Sequence, residues 1–268
     1  RPPRSTLFPY TTLFRSKRLI SYHIAVYFMV LVALILQAAL GLREFLFGLS
    51  QVVIATALSM LIVLITQKLK KQPLWIYRDY LIMLNYGLLT ALLIPTESPF
   101  YVIITAILLI AILRLFFEKV FRKNVIHPVL LSVLFIHLLF RSVLPISLTM
   151  SNIFQESTLS FGPIRFLFGA YQGLTLGSSA FVILIFLWIY LAVAKVVQFK
   201  MSVFYLINLL LATLYYNLAF DLSLWEGFTK IILGYSAFML VFFIAEPTST
   251  PETKEMAWIY SMVAAVLT

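Results

Sequence analysis

Two short segments interrupt apolar runs with proline and hydroxyl side chains. They are Pro95-Thr96-Glu97-Ser98-Pro99, after Tyr86 to Ile94, and Pro247-Thr248-Ser249-Thr250-Pro251, after the run that closes on Phe242-Phe243-Ile244-Ala245-Glu246. Proline lacks an N–H and clashes with the turn before it, so each segment ends a helix. Broken helix ends line ion paths and hinges in membrane transporters, which makes Pro95, Thr96, Pro99, Pro247 and Pro251 candidates for an ion path or hinge. The plainer reading of both segments is a tight stop at a membrane interface.

Other polar residues sit inside apolar runs. His137 and Arg141 are four apart in the fifth run and would share a helical face. An ionisable residue in a span is a functional candidate, with Arg141 placed on the ion path, while an arginine near the end of a span can equally snorkel to the interface. His127 and His137 lie ten apart, about 80° from a common face, so no metal pair is expected. Arg114, Glu118 and Arg122 repeat at i, i+4 and i+8 and read as an interfacial anchor. Asn85, Asn208, Asn217 and the Tyr215-Tyr216 pair either line a polar route or make interhelical hydrogen bonds. No nucleophile elbow, phosphate loop or metal-ligand cluster occurs, so no catalytic residue and no metal site are expected.

The elements that must position these residues are membrane helices. The chain is 62% hydrophobic and only 11% charged, with a mean hydropathy of +1.02; soluble domains carry about a quarter charged residues. Nine apolar segments are expected near 19–42, 50–67, 79–95, 100–117, 128–149, 167–194, 201–220, 229–246 and 256–268. The sixth opens on the Gly-rich turn Gly169 to Ala180. The last covers about 20 Å, short of the ~30 Å hydrocarbon core, so a tenth span is expected beyond it. Residues 1–16 show no helical period, and STLFPYTTLFRS resembles a translated adaptor remnant, so they are set aside as a non-native or disordered leader.

Charge orients the chain. If Lys17 and Arg18 are cytoplasmic, thirteen Lys and Arg fall inside, against Arg43, Arg141, Arg165 and Lys230 outside. This bias places the N-terminus in the cytoplasm and also accounts for the net charge of +10 without nucleic acid. Absence of cysteine excludes disulfides, thiolate-held iron–sulfur clusters and thioether-linked haem. The two proline segments then fall five spans apart on opposite faces. That spacing predicts an all-α polytopic protein with a five-plus-five inverted repeat, divided as 17–149, an external loop 150–166, and 167–268.

With these motifs in place, the chain resembles the RnfD family, membrane proteins of Rnf-type electron transport complexes, and their NqrB relatives in the sodium-pumping quinone reductase. Phe242 to Lys254 is similar to that family's phenylalanine-rich run ending in an Ala-acid-Pro step. Tyr86 to Val102 is similar to its Gly-Leu-Leu-Thr segment, and Asn124-Val125-Ile126-His127-Pro128 stands where the family reads Asn-Pro-Phe-Asn-Pro-Ala. The resemblance implies a subunit of a bacterial plasma-membrane complex, passing electrons across the membrane coupled to Na+ or H+ movement, with partner subunits that include an FMN carrier. It also implies FMN or riboflavin, with Asn124, His127, Pro128, Thr158 and Thr248 as candidate binding residues. The family's Ser-Gly-Ala-Thr attachment motif is absent, and Thr158 is the nearest hydroxyl in the external loop. Alternatives are a subunit of a non-pumping extracellular flavin relay and an inverted-repeat secondary transporter.

Overall fold

The computed structural model describes residues 9–71, 77–120, 127–144, 177, 181–197, 199–219, 236–244 and 254–267. Among these, nine helical segments follow one another with no strand: α1 (Pro9–Leu40), α2 (Leu42–Leu69), α3 (Tyr77–Leu93), α4 (Phe100–Val120), α5 (Pro128–Leu139), α6 (Phe181–Val193), α7 (Phe199–Ala219), α8 (Ser236–Phe238) and α9 (Lys254–Leu267). α8 runs on as a π-turn over Met239–Phe243. Four helical stretches, Lys17–Leu40, Leu42–Leu69, Phe100–Val120 and Phe199–Ala219, are long and apolar enough to cross a membrane. α1 begins at Pro9, within the segment set aside as a leader. α1 and α2 are separated by Gly41 alone, at φ 159°, where a Cβ would stand 2.7 Å from Glu44 Oε2.

α3 lies at the centre, packed by α1, α2, α4 and α5, and every residue from Leu88 to Leu93 is buried. Its main neighbour is α2, whose composition is inverted relative to a soluble helix. The buried stripe of α2 is Gly48, Gln51, Ala55, Ser59, Val63 and Gln67, whereas Val53, Met60, Leu61, Leu64 and Ile65 face outward. Lipid tails are as apolar as leucine, so large apolar side chains gain nothing by turning inward, and small or polar ones allow close helix contact. The closest approach is at Gly87 of α3. A Cβ there would stand 2.2 Å from Ser59 Oγ and 2.9 Å from the Ala55 carbonyl.

At the basic end of these helices, Arg114 of α4 ties three helices together. Its Nη2 donates to Asp79 Oδ1 of α3 at 2.9 Å, and its Nε to Glu118 Oε1 at 3.2 Å. Glu118 also accepts from Lys70, just past α2, at 3.0 Å. The expected i, i+4 pair of Arg114 and Glu118 is thus present, with partners on two further helices that spacing within α4 could not reveal. Arg122 lies outside the described residues.

α5 is shorter than the expected run to residue 149. It ends at Leu139, and the Phe140 carbonyl accepts from Val143 and Leu144 in the turn that follows. The last helical bond runs from the Phe140 N–H to the Ile136 carbonyl at 2.9 Å. Arg141 is therefore exposed in a turn and does not share a helical face with His137.

Gly87→Ala is expected to destabilise the protein by about 1–3 kcal/mol through overpacking. In a thermal-unfolding assay in detergent the midpoint should fall, and Ser59→Ala in the same chain should restore part of the loss by removing the nearest atom. An unchanged midpoint for Gly87→Ala would remove the close contact from the account of α2–α3 packing.

Candidate functional site

The site is built from two places where helical hydrogen bonding breaks inside the protein. The first is the end of α3. Its 17 residues reach about 25 Å, less than the ~30 Å of a bilayer core, so the turn after it begins before the membrane ends. Ile94, Pro95, Thr96 and Ser98 are buried there and Glu97 is exposed. Irregular backbone at this depth has to find its partners within protein. The Pro95 carbonyl accepts from Gln51 Nε2 of α2 at 2.8 Å and from the Ser98 N–H at 3.0 Å. The Leu92 carbonyl accepts from the Gly177 N–H at 2.8 Å.

Gly177 belongs to the Gly-rich turn before α6, and its lack of a side chain is used. A Cβ would stand 2.7 Å from the Phe238 ring and 3.0 Å from the Leu92 carbonyl. A residue of ordinary size would push α8 away from α3.

The second break is the π-turn after α8, closed by the Ile244 N–H to the Met239 carbonyl at 2.9 Å. Single π-turns leave carbonyls aimed away from the helix axis and recur at functional sites. Here the Phe242 carbonyl accepts from the Tyr22 hydroxyl of α1 at 2.5 Å. One turn earlier, the Ser236 carbonyl accepts from the Tyr205 hydroxyl of α7 at 3.2 Å.

His127 joins the two regions. It is fully buried at the N-terminus of α5, where its Nδ1 accepts from the Val129 N–H at 3.2 Å. An accepting Nδ1 places the proton of the neutral ring on Nε2. The imidazole packs edge-on against Tyr86 of α3 at 5.1 Å and Phe243 of the π-turn at 4.6 Å. Phe243 leads through Phe238 and Phe242 to Tyr22, with ring centres 6.0, 4.8 and 6.1 Å apart. Rings from α1, α3, α5 and α8 thus form one continuous cluster, held in edge-on and tilted arrangements that aromatic quadrupoles favour.

Of the residues singled out from sequence, Pro95, Thr96 and Pro99 lie at the first break, and His127 with Pro128 lies between the breaks. Asn124, Thr158, Thr248, Pro247 and Pro251 lie outside the described residues. His137 donates from Nδ1 to its own helix at the Val133 carbonyl, 2.9 Å away. Asn208 donates likewise to the Phe204 carbonyl, and Tyr215 faces outward. Asn85 does form an interhelical bond, accepting at Oδ1 from His23 Nδ1 of α1 at 2.6 Å. Sequence reading missed Gln51, Tyr22, Tyr205 and the π-turn. Only Gln51 carried a signal, as an amide within an apolar span, and its carbonyl partner is 44 residues away.

At the start of α5, Pro128 is buried and His127 packs between Tyr86 and Phe243. A model of the NQR2, RnfD, RnfE family matches residues 15–268. No curated protein matches the chain.

Tyr22→Phe keeps the ring contact and removes the hydroxyl, leaving the Phe242 carbonyl short of a donor. The expected loss is about 1–3 kcal/mol, read as a lower unfolding midpoint, with Tyr22→Ala lower still. Equal midpoints for wild type and Tyr22→Phe would show that the Tyr22 bond does not hold the π-turn.

Proposed function

The chain belongs to the NQR2, RnfD, RnfE family, and on that premise we propose that it passes electrons across a membrane in a flavin-dependent complex and couples their passage to movement of Na+ or H+. It is a multi-pass membrane subunit of the Rnf/Nqr type, working with other subunits of its complex. In this reading the membrane is the bacterial plasma membrane, with the N-terminus in the cytoplasm and electrons supplied by partner subunits. Its own residues supply no cysteine ligand for a metal cluster.

The observation that carries the ion-coupling part is the meeting of two helix breaks in the protein interior. The turn after α3 and the π-turn after α8 are joined through Gly177, which donates to Leu92 and abuts Phe238. Ion-coupled transporters place their sites at such discontinuous helices, near the interface of two repeats. Packing supports a repeat with an offset of five helices. α1 packs on α3 as α6 packs on α8, and α2 packs on α4 as α7 packs on α9. The central helices α1, α3, α6 and α8 are then equivalent in pairs.

Flavin chemistry would be supplied by FMN or riboflavin, with Thr158 as the nearest attachment candidate. This chain's part is to exclude water, position partner residues and hold the ion path closed between events.

The test is to purify the chain after coexpression with a flavin transferase and record absorbance and in-gel fluorescence before and after denaturation. Fluorescence in the denatured band that disappears in Thr158→Ala would show covalent attachment there. Flavin released on denaturation would keep the carrier reading with a non-covalent site. No flavin in either fraction would sink the reading that this chain carries electrons itself.

A further inference from the structure

Gln67, in the last turn of α2, is 2% exposed, yet neither its Nε2 nor its Oε1 has a hydrogen-bond partner among the described residues. A buried amide unpaired at both ends carries its full desolvation penalty, so it suits a ligand that can both accept and donate. The amide lines a cleft between α2, α3 and α4, together with Lys70, Asp79, Arg114 and Glu118. Arg114 and Lys70 converge there on the two oxygens of one carboxylate, Nε on Glu118 Oε1 at 3.2 Å and Nζ on Oε2 at 3.0 Å.

The acids of the cleft are engaged in these pairs, and donors are left over. Arg114 uses two of its five N–H groups, on Asp79 and Glu118, and Lys70 uses one of its three. Charge around the cleft has the same sign: residues 67–79 and 111–120 hold Lys68, Lys70, Lys71, Arg78, Arg114 and Lys119 against Asp79 and Glu118. Away from the basic end the lining turns apolar, with Ile62 of α2, Met83 of α3 and Ala111 of α4. On each helix the charged residue lies nearer the basic end and the apolar one deeper. Surplus N–H donors and a guanidinium suit phosphate oxygens. Basic pockets between membrane helices hold lipid head groups, and an apolar wall continuing inward suits an acyl chain.

We propose that the cleft between α2, α3 and α4 binds one anionic phospholipid. Its phosphodiester oxygens accept from Gln67 Nε2, Arg114 and Lys70, a head-group hydroxyl donates to Gln67 Oε1, and an acyl chain follows the wall that begins at Ile62. Asp79 and Glu118 hold Arg114 in place for the phosphate. The site requires only that the chain lie in a membrane and is independent of the electron-transfer reading.

The test is thermal unfolding of the full chain in detergent, with phosphatidylglycerol titrated in, against phosphatidylcholine and against inorganic phosphate at equal ionic strength. A ligand of the folded state raises the midpoint with its concentration. The expected result is a saturable rise with phosphatidylglycerol that neither phosphatidylcholine nor inorganic phosphate reproduces. Gln67→Met removes the unpaired amide at nearly constant size, so its midpoint without lipid should equal or exceed that of wild type. The phosphatidylglycerol concentration giving half the effect should rise about tenfold in Gln67→Met and in Lys70→Gln. Lys119→Gln, which removes an exposed cation at the same end of α4 but outside the cleft lining, should respond as wild type does. Lys70 is exposed, so Lys70→Gln carries the comparison if Gln67→Met does not fold. An equal rise with phosphatidylcholine, or equal losses in Lys70→Gln and Lys119→Gln, would reduce the effect to general lipid or surface charge and overturn the site. A matching rise with inorganic phosphate would overturn the lipid as its ligand. An unchanged lipid response in Gln67→Met would overturn the role of the amide and with it the site.

Discussion

A backbone carbonyl freed inside a membrane protein has no water to turn to, and the architecture of this chain follows from how three of them are satisfied. Pro95 receives Gln51, Leu92 receives Gly177 and Phe242 receives Tyr22. Each donor comes from an element distant in sequence, so the helix breaks can exist only once the helices have assembled. The breaks and the tertiary fold therefore depend on each other. Where the donor is the carbonyl's single partner, its loss leaves a buried carbonyl unpaired, a larger penalty than the modest net worth of the bond itself.

The same economy shapes α2. Its outward faces are leucine, valine, isoleucine and methionine, and its one buried stripe is glycine, alanine, serine, valine and two glutamines. Small residues let α3 approach until Gly87 touches Ser59 and Ala55. The glutamines sit near the two ends of that stripe, Gln51 at the broken end of α3 and Gln67 beside the Arg114 ion-pair network. Exposed ion pairs contribute little by themselves. Arg114 matters because it is largely buried and bonds acids on α3 and α4 at once.

Much of this is legible in the chain. Nine apolar segments correspond to nine helical segments among the described residues, and the Pro95 segment marks a helix break because proline acts through local backbone chemistry. His127, a candidate from the sequence, is in the fold the N-terminal cap of α5 and the junction of an aromatic cluster. The shared face of His137 and Arg141 does not form, because α5 ends at Leu139 and Arg141 lies in the turn that follows.

Sequence by itself determined the membrane class, the number of apolar segments, the helix stop at Pro95 and, through the order of its motifs, the family. These follow from hydropathy, proline geometry and spacing, which act over a few residues and need no partner. Tertiary structure alone decided that the stop after α3 is buried, that Gln51 and Ser98 meet at one carbonyl, that α8 ends in a π-turn held by Tyr22, and that Gly177 is the joint between the two breaks. Hydrogen bonds spanning 44 and 220 residues leave no periodic trace in the chain, because only the packing of whole helices brings donor and acceptor to the same depth.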